Sequence, residues 1–237
     1  VEQKRPRRPR RQRRKTPRFL CCLFLKRQER HFLFDPMSVY YILTISFIIF
    51  FSIILHEIDH GWVAYRLGDP TAKLAGRLTL NPFPHIDLLG TILLPTLLLL
   101  THSPVVLGWA KPVPVNFALL RNPKRDMIWV GLAGPFVNIF LAVFLAIILR
   151  FNLIPAGEPF LKTGIMINLV LAIFNLLPIP PLDGSRLVMG LLPYDIARAY
   201  AGLERYGIII VFLLLYFGVL NFVIGPVISF FAHYLGI

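Results

Sequence analysis

Long apolar runs separated by short polar stretches organise most of this chain. The first run extends from Met37 to Leu55 and contains no charged residue. At ~1.5 Å per residue such a helix covers ~28 Å, close to the thickness of the hydrocarbon core of a bilayer. The run continues without a break signal into His56-Glu57-Ile58-Asp59-His60. We therefore predict one helix that ends near Arg66, before the helix-stopping sequence Gly68-Asp69-Pro70.

Three later runs predict further spanning helices: Asp126–Leu149, Phe160–Leu177 and about Tyr206–Ile224. A short apolar tail follows the last of them. The small residues Gly131, Ala133 and Gly134 would let the first of these helices approach its neighbours closely. We expect an all-α membrane protein, a polytopic helical bundle of about five to six hydrophobic segments. Short β-hairpin or re-entrant elements are expected between the first spans.

The segments between the first two clear spans have less regular patterns. Residues 71–87 are mixed in polarity and suit short strands or a hairpin. Leu88–Thr101 is apolar but short, which fits a re-entrant segment as well as a span. Gly108–Val115 contains Pro112 and Pro114, and this spacing excludes a helix and favours an extended backbone.

Composition and charge agree with a membrane domain and separate an arm from it. Hydrophobic residues make up 56% of the chain, against about 45–50% in soluble domains. Most of the net charge of +13 comes from residues 1–36, with 13 Lys or Arg and 3 Asp or Glu. We predict a basic, disordered arm over 1–36 and a membrane domain over 37–237.

The arm has three possible interpretations. The chain begins with Val1, and Met37 stands just before the first apolar run. The arm is therefore either an upstream extension of a natural start at Met37, a membrane-surface segment or a nucleic-acid-binding segment. We favour the first two, so nucleic acid is not the expected partner.

Basic residues predict the orientation of the bundle. If Leu88–Thr101 does not cross the membrane, ten basic residues share one side and only Arg150 and Lys162 lie on the other. The excess of positive charge predicts that the first side is cytoplasmic. The ten residues are Arg66, Lys73, Arg77, Lys111, Arg121, Lys124, Arg125, Arg186, Arg198 and Arg205.

The polar end of the first predicted helix has the spacing of a metal site. His56 and His60 are four residues apart, only ~40° from each other around a helix, so both imidazoles can reach one zinc ion. Glu57 lies ~100° from His56 and could accept a proton from a water without being a ligand. Charged side chains are costly in a bilayer and usually functional there. The alternative is an ordinary polar helix end at the water interface.

A catalytic zinc normally takes a third protein ligand, and several residues qualify. Asp183 is the best candidate, because it follows a span and lies after the irregular sequence Pro178-Ile179-Pro180-Pro181. Such unwound backbone at membrane depth is tolerated where it lines a cavity. The alternative role of Asp183 is that of a turn residue before glycine. The weaker ligand candidates are His85, Asp87 and His102.

A zinc ion at this place would imply hydrolysis. Glu57 would deprotonate the water and later pass the proton to the leaving amine. Asn138 and Asn175 could donate to the oxyanion from within or beside apolar spans. Their alternative role is hydrogen bonding between helices.

Several motifs together resemble the site-2 protease family of intramembrane zinc metalloproteases, in its compact bacterial branch without a PDZ domain. The resemblance covers nearly everything from Phe50 to about Val188. The matching stretches are His56–His60, Gly68–Ala72, Gly76–Pro82, Gly108–Asn116, Ala133–Pro135 with Asn138, Asn175–Pro178 and Leu182–Gly184. Asp59 stands where relatives usually have a small residue.

The resemblance implies one Zn²⁺ per chain, held by His56, His60 and Asp183, with Glu57 as the catalytic base. It implies that Trp109–Val115, which includes Lys111, holds a membrane-protein substrate in extended form. The implied location is a bacterial plasma membrane, with the active site toward the cytoplasm.

Other classes of protein fit the sequence less well. An inactive relative that binds partners without cutting them has Asp59 as its only support. A transporter predicts duplicated halves with matching broken helices, and no repeat is visible. A membrane-anchored soluble protease would need a soluble domain, and the sequence has none of sufficient size.

Overall fold

The computed structural model describes residues 36–101 and 108–237, and all regular elements in these ranges are helical. The main helices are α1 (Pro36–Arg66), α2 (Thr71–Leu74), α3 (Leu94–Leu100), α4 (Pro123–Arg150), α5 (Glu158–Asn175), α6 (Gly184–Leu191), α7 (Tyr194–Ala201), α8 (Glu204–Tyr216) and α9 (Val219–Leu235). A π-helix, Leu88–Leu93, leads into α3. The all-α class is thereby confirmed for the described residues. The predicted arm over 1–36 and the candidate ligand His102 lie outside them, apart from Pro36.

Three helical stretches are long and apolar enough to cross a membrane. They are Leu43–Arg66, Pro123–Arg150 and Pro155–Asn175, and a fourth span is possible if α7 and α8, bent by 63° at their junction, count as one. Two shorter apolar stretches, Leu88–Leu98 and Phe222–Leu235, accompany them. The structure thus supports three to four spans and does not confirm five to six.

α4 is the centre of the bundle. It packs against α1, α5 and α6, and α5 also packs against α9. Buried small residues allow this close packing: Ala142 and Ala146 of α4 lie in one cluster with Ile165 and Leu169 of α5. Gly131 of α4 faces the turn before α6, because an added Cβ would lie 3.0 Å from the carbonyl oxygen of Asp183.

The short strands or hairpin predicted over residues 71–87 are not found. This stretch contains α2 and a short 3₁₀ helix, Phe83–His85. Proline explains the difference, because Pro82 and Pro84 each remove a backbone donor that a strand ladder would need. The following segment, residues 108–116, forms no helix and pairs with no strand among the described residues. Pro112 and Pro114 exclude a helix and favour an extended backbone at the residues before them.

The predicted span Tyr206–Ile224 is interrupted. α8 ends at Tyr216, and Gly218 adopts a left-handed conformation with φ of 71° before α9 begins. Glycine accepts this conformation without a Cβ penalty and commonly ends helices. The apolar tail therefore becomes α9, whose Leu220, Ile224 and Ile228 form a buried cluster.

Candidate metal centre

Two turns of α1 and the turn before α6 bring three potential ligands together. His56 Nε2 lies 3.0 Å from Asp183 Oδ2, and His60 Nε2 lies 3.2 Å from the same oxygen. The two Nε2 atoms are 3.1 Å apart. Among the described residues this is the group of His, Cys, Asp and Glu side chains that could hold a metal ion.

The triangle of atoms fits a tetrahedral zinc site. Zinc–ligand distances of about 2.0–2.1 Å place neighbouring ligand atoms ~3.3–3.4 Å apart, and the three separations fall just short of that value. Two imidazoles and a carboxylate are a donor set that catalytic zinc uses, with one position left for water or substrate. The residues present therefore fit the metal.

Each imidazole is held from its far side. His56 Nδ1 lies 2.6 Å from Asn138 Oδ1, and His60 Nδ1 lies 2.6 Å from the carbonyl oxygen of Val130. Both partners are oxygen acceptors, so both Nδ1 atoms carry the proton. The Nε2 lone pairs are then directed to the metal position, as in other histidine-ligated metal sites.

The partner of His56 belongs to a longer polar chain inside the bundle. Asn138 Nδ2 donates to Asn168 Oδ1 at 2.8 Å, and Asn168 Nδ2 donates to Ser52 Oγ at 3.0 Å. Asn138 and Asn168 are 0% and 1% exposed. The chain joins α1, α4 and α5 behind the metal position, and every buried amide in it has a partner.

Gly134 of α4 allows the helix to pass directly over the imidazoles. A Cβ at this position would lie 2.5 Å from the Nε2 atoms of both His56 and His60. Any larger residue would thus enter the space where the ligand atoms converge.

The neighbouring histidines change the pKa of the Asp183 carboxyl group. Burial by itself raises the pKa of Asp183, but hydrogen bonds and positive charge from protonated His60 and His56 outweigh burial and hold this pKa below its usual range when no metal is bound. With zinc bound, the positive charge of the ion would take the place of those protons and keep the carboxylate ionised, as a metal ligand must be. The turn that carries it is tight, because a Cβ on Gly184 would lie 2.3 Å from the carbonyl oxygen of Leu176.

Glu57 lies at the side of this group and faces the extended segment. Its Oε2 accepts a hydrogen bond from the Val113 peptide nitrogen at 2.9 Å. The side chain is half-buried. Asp59, which precedes His60, is also half-buried.

The remaining predicted site residues have different surroundings. Asn138 is fully buried, with both amide atoms engaged inside the bundle, so the geometry favours its alternative role of hydrogen bonding between helices. Asn175 is half-buried and donates to the Leu171 carbonyl oxygen at 2.9 Å. Lys111 is exposed.

His85 is fully buried, and its Nε2 lies 2.9 Å from the Thr79 carbonyl oxygen. Asp87 accepts from Gly90 at the start of the π-helix.

Sequence reasoning missed several supporting residues. Asn168 and Ser52 are polar residues within apolar helices, and that contrast is the signal that could have identified them. The Val130 carbonyl has no such signal, since any residue supplies a backbone oxygen. Arg77, 8% exposed, donates to the Lys111 carbonyl oxygen at 2.7 Å. A single basic residue in a loop does not predict this contact with a backbone carbonyl.

Helices that can span a membrane and a buried His-His-Asp group that could hold a metal ion are the features of a membrane metalloprotein. Comparison with known proteins identifies the family. The family model described as peptidase family M50 matches residues 156–217. The Bacillus subtilis protein named "Putative zinc metalloprotease YwhC" is 36% identical over 208 residues, which cover 84% of this chain and 90% of the relative.

More distant relatives have similar names. "Putative zinc metalloprotease Rip2" of Mycolicibacterium smegmatis is 33% identical over 72% of this chain and 65% of the relative. "Zinc metalloprotease MJ0392" of Methanocaldococcus jannaschii is 25% identical over 79% of this chain and 46% of the relative. No solved structure matches.

The chain belongs to peptidase family M50, the site-2 protease family. It is an integral membrane zinc metalloprotease. The family, the enzyme class and the zinc cofactor predicted from the sequence are thereby confirmed.

Proposed function

We propose that this chain is an intramembrane endopeptidase that cuts membrane proteins within or near their spanning segments. One zinc ion would be held by His56, His60 and Asp183, and residues 37–237 would form the protease domain. The observation that carries this proposal is the triangle of ligand atoms with sides of 3.0–3.2 Å inside an apolar helical bundle. His60 lies six residues before the end of α1, or ~9 Å along its axis, so the site would lie inside the bilayer near one face.

The residues around the metal would divide the chemistry among them. Zinc, when bound, supplies a Lewis acid that brings the pKa of a water molecule to about 7. Glu57 takes a proton from the attacking water and delivers it to the leaving amine. Asn138 and the Val130 carbonyl hold the imidazoles in the ligating tautomer. Asn175, half-buried near the Asp183 turn, is our candidate for an amide donor to the oxyanion.

The extended segment at residues 108–116 would receive the substrate. A helical substrate hides its carbonyls in hydrogen bonds, so it must unwind before hydrolysis, and pairing with an extended edge compensates for the lost bonds. Two alternate N–H groups of the segment are bound to the scaffold: Trp109 N donates to Gly90 O at 3.1 Å and Lys111 N to His85 O at 2.9 Å. The exposed Lys111 side chain lies on this segment.

The active site would face the cytoplasm of a bacterial cell, and the chain would be a multi-pass protein of the plasma membrane. The end of α1 lies beside the start of α4, because Arg121 N donates to Leu67 O at 3.0 Å. The basic residues that flank these ends are thus grouped at the end of the bundle nearer the metal ligands. The excess of positive charge at this end supports the proposed cytoplasmic location.

Asp59 supports a second candidate function, that of an inactive relative which binds membrane proteins without cutting them. It adds a half-buried carboxylate directly before the ligand His60, where it could perturb the metal. All other groups of the proposed mechanism are present, so we place this candidate second.

Cleavage of a tagged single-span protein in lipid nanodiscs separates the two functions. We expect wild type to cut within the spanning segment, and Glu57→Gln to bind zinc without cutting. Mass spectrometry of the products locates the bond. If wild type binds zinc but cuts none of several substrates, while Asp59→Ser cuts them, the inactive-relative function is the correct one.

A further inference from the structure

We propose that the peptide N–H of Val113 positions Glu57 for catalysis, so the segment that receives the substrate also holds the general base. This inference rests on the proposed function, in which Glu57 is the base and residues 108–116 bind substrate. It adds a positioning group from the backbone to that mechanism.

The contact itself joins two distant parts of the chain. Val113 N donates to Glu57 Oε2 at 2.9 Å across 56 residues of sequence. Within the ranges 36–101 and 108–237, the other carboxylate oxygen, Oε1, makes no hydrogen bond. One oxygen is therefore fixed by the backbone, while the second remains for a water molecule.

The local sequence isolates this single donor. Pro112 and Pro114 have no N–H, so Val113 supplies the only peptide donor of the Pro112–Pro114 stretch. Each proline also restricts its own φ to about −65° and the preceding residue to extended conformations. The direction of the Val113 N–H is thus largely set before any partner binds.

Anchors on both sides keep the donor in place. Before it, Arg77 donates to the carbonyl oxygens of Lys111 and Pro112 at 2.7 and 3.2 Å. After it, Asn116 N donates to Asp69 Oδ2 at 2.6 Å. Because these anchors involve neither the metal ligands nor Glu57, the scaffold can orient the base independently of the metal.

α1 approaches the segment closely enough for the contact to form. Gly61 lies four residues after Glu57, on the same face of the helix. A Cβ at Gly61 would lie 2.6 Å from Val113 Cγ1, so glycine permits the approach. The Val113 side chain is 7% exposed, which excludes most solvent from this junction.

Steady-state kinetics of Val113→Pro and Val113→Ala test the proposal. Both substitutions replace the Val113 side chain, but only proline removes the peptide N–H. We expect kcat of Val113→Pro to be at least about tenfold below that of Val113→Ala, since general bases contribute about 100-fold or more. KM should differ by less than about threefold, with one zinc per chain in both variants.

Lys111 offers a matched pair, because its N–H binds a scaffold carbonyl instead of the base. Lys111→Pro compared with Lys111→Ala should change KM more than kcat. Equal kcat in the two Val113 variants would overturn the inference, and so would a Val113→Pro effect confined to KM. If Val113→Pro loses zinc or fails to fold, an ester in place of the peptide bond between Pro112 and Val113 removes the N–H and keeps the Val113 side chain. The ester also weakens the Pro112 carbonyl as an acceptor, but the shorter contact of Arg77 with the Lys111 carbonyl remains, so the same kcat criterion decides between the outcomes.

The activity of Glu57→Gln distinguishes a failure of the positioning role of Val113 from a failure of the proposed mechanism. If Glu57→Gln is inactive while the Val113 variants have equal kcat, Glu57 remains the base and only the positioning role is refuted. If Glu57→Gln cuts as fast as wild type, the proposed mechanism itself fails, and the positioning inference fails with it.

Discussion

At the scale of single residues, the hydrogen-bond partners of His56 and His60 determine which nitrogen of each imidazole faces the proposed metal position. Four-residue spacing on α1 brings the rings within reach of one ion, but it does not fix which nitrogen faces that ion. The Asn138 amide oxygen and the Val130 carbonyl fix it, because each accepts the Nδ1 proton. In the proposed metal site, these contacts would stiffen the two imidazoles before the metal binds and raise their basicity.

Removal of the Asn138 amide should weaken zinc binding. We expect Asn138→Ala to lower zinc affinity by about 10- to 100-fold, the usual cost of losing such a partner, as measured by competition with a chelator. Ser52→Ala, at the far end of the same polar chain, should have a smaller effect. Equal zinc affinity in Asn138→Ala and wild type would show that the His56 contact does not support the metal.

A methyl group on Gly134 should exclude the metal. The Cβ of Gly134→Ala would lie 2.5 Å from both Nε2 atoms, far inside van der Waals contact. We expect zinc content well below one per chain and loss of proteolysis. Gly225→Ala is the control, because its Cβ meets no atom within 4 Å. A Gly134→Ala protein with full zinc content would refute the proposed metal position.

At the scale of elements, the turn after α1, the helix that carries His56 and His60, is bound through Asp69 to the segment at residues 108–116. Asp69 is 0% exposed. Its Oδ1 accepts from Thr71 N at 3.0 Å and also from the Thr71 hydroxyl, and its Oδ2 accepts from Asn116 N. One buried carboxylate thus fixes the start of α2 and the end of the segment that we propose receives the substrate.

Asp69→Ala should destabilise the fold, because it leaves two peptide donors without a partner. The expected loss is about 2–4 kcal/mol, measured by denaturant unfolding in detergent. Asp195→Ala removes an exposed carboxylate from the first turn of α7 and should be much less harmful. Equal unfolding midpoints for the two variants would contradict the role assigned to Asp69.

The sequence predicted long apolar elements better than short ones. α1, α4 and α5 were predicted to within a few residues, because continuous apolar runs and flanking Gly or Pro define such helices. Residues 71–87 were predicted to form short strands or a hairpin but form α2 and a 3₁₀ helix, since mixed polarity does not by itself distinguish a short strand from a helical turn. Gly218 was read as part of a span, although its left-handed φ ends α8.

Contacts between distant elements were largely beyond sequence reasoning. The proximity of His56 and Asp183 was inferred from ligand chemistry, whereas the Val130 carbonyl, the Val113 N–H and the Arg77 contacts depend on how α4 and the loops pack against α1. Backbone groups are present at every residue, so no pattern distinguishes the few that support a site.

At the scale of the whole molecule, the distribution of basic residues predicts one orientation in the membrane. Lys162, whose side chain is 46% exposed, follows the start of α5 at one end of the bundle. Arg198, exposed on α7, lies beyond the end of α5, after the Asp183 turn. The two positions should therefore face opposite sides of the membrane.

Cysteine labelling tests this orientation. In a background with Cys21 and Cys22 replaced by serine, we expect Lys162→Cys to react with an impermeant maleimide in intact cells. Arg198→Cys should react only after the cells are opened. The reverse pattern would place the active site on the outer side and contradict the proposed cytoplasmic location.

The central claim, zinc held by His56, His60 and Asp183, is tested most directly by X-ray absorption at the zinc edge on the purified protein. The account predicts one zinc per chain, with imidazole nitrogen and carboxylate oxygen neighbours at about 2.0–2.1 Å. It also predicts loss of the ion in Asp183→Ala. A sulfur neighbour, or an unchanged spectrum and full zinc content in Asp183→Ala, would show that the ion is bound elsewhere.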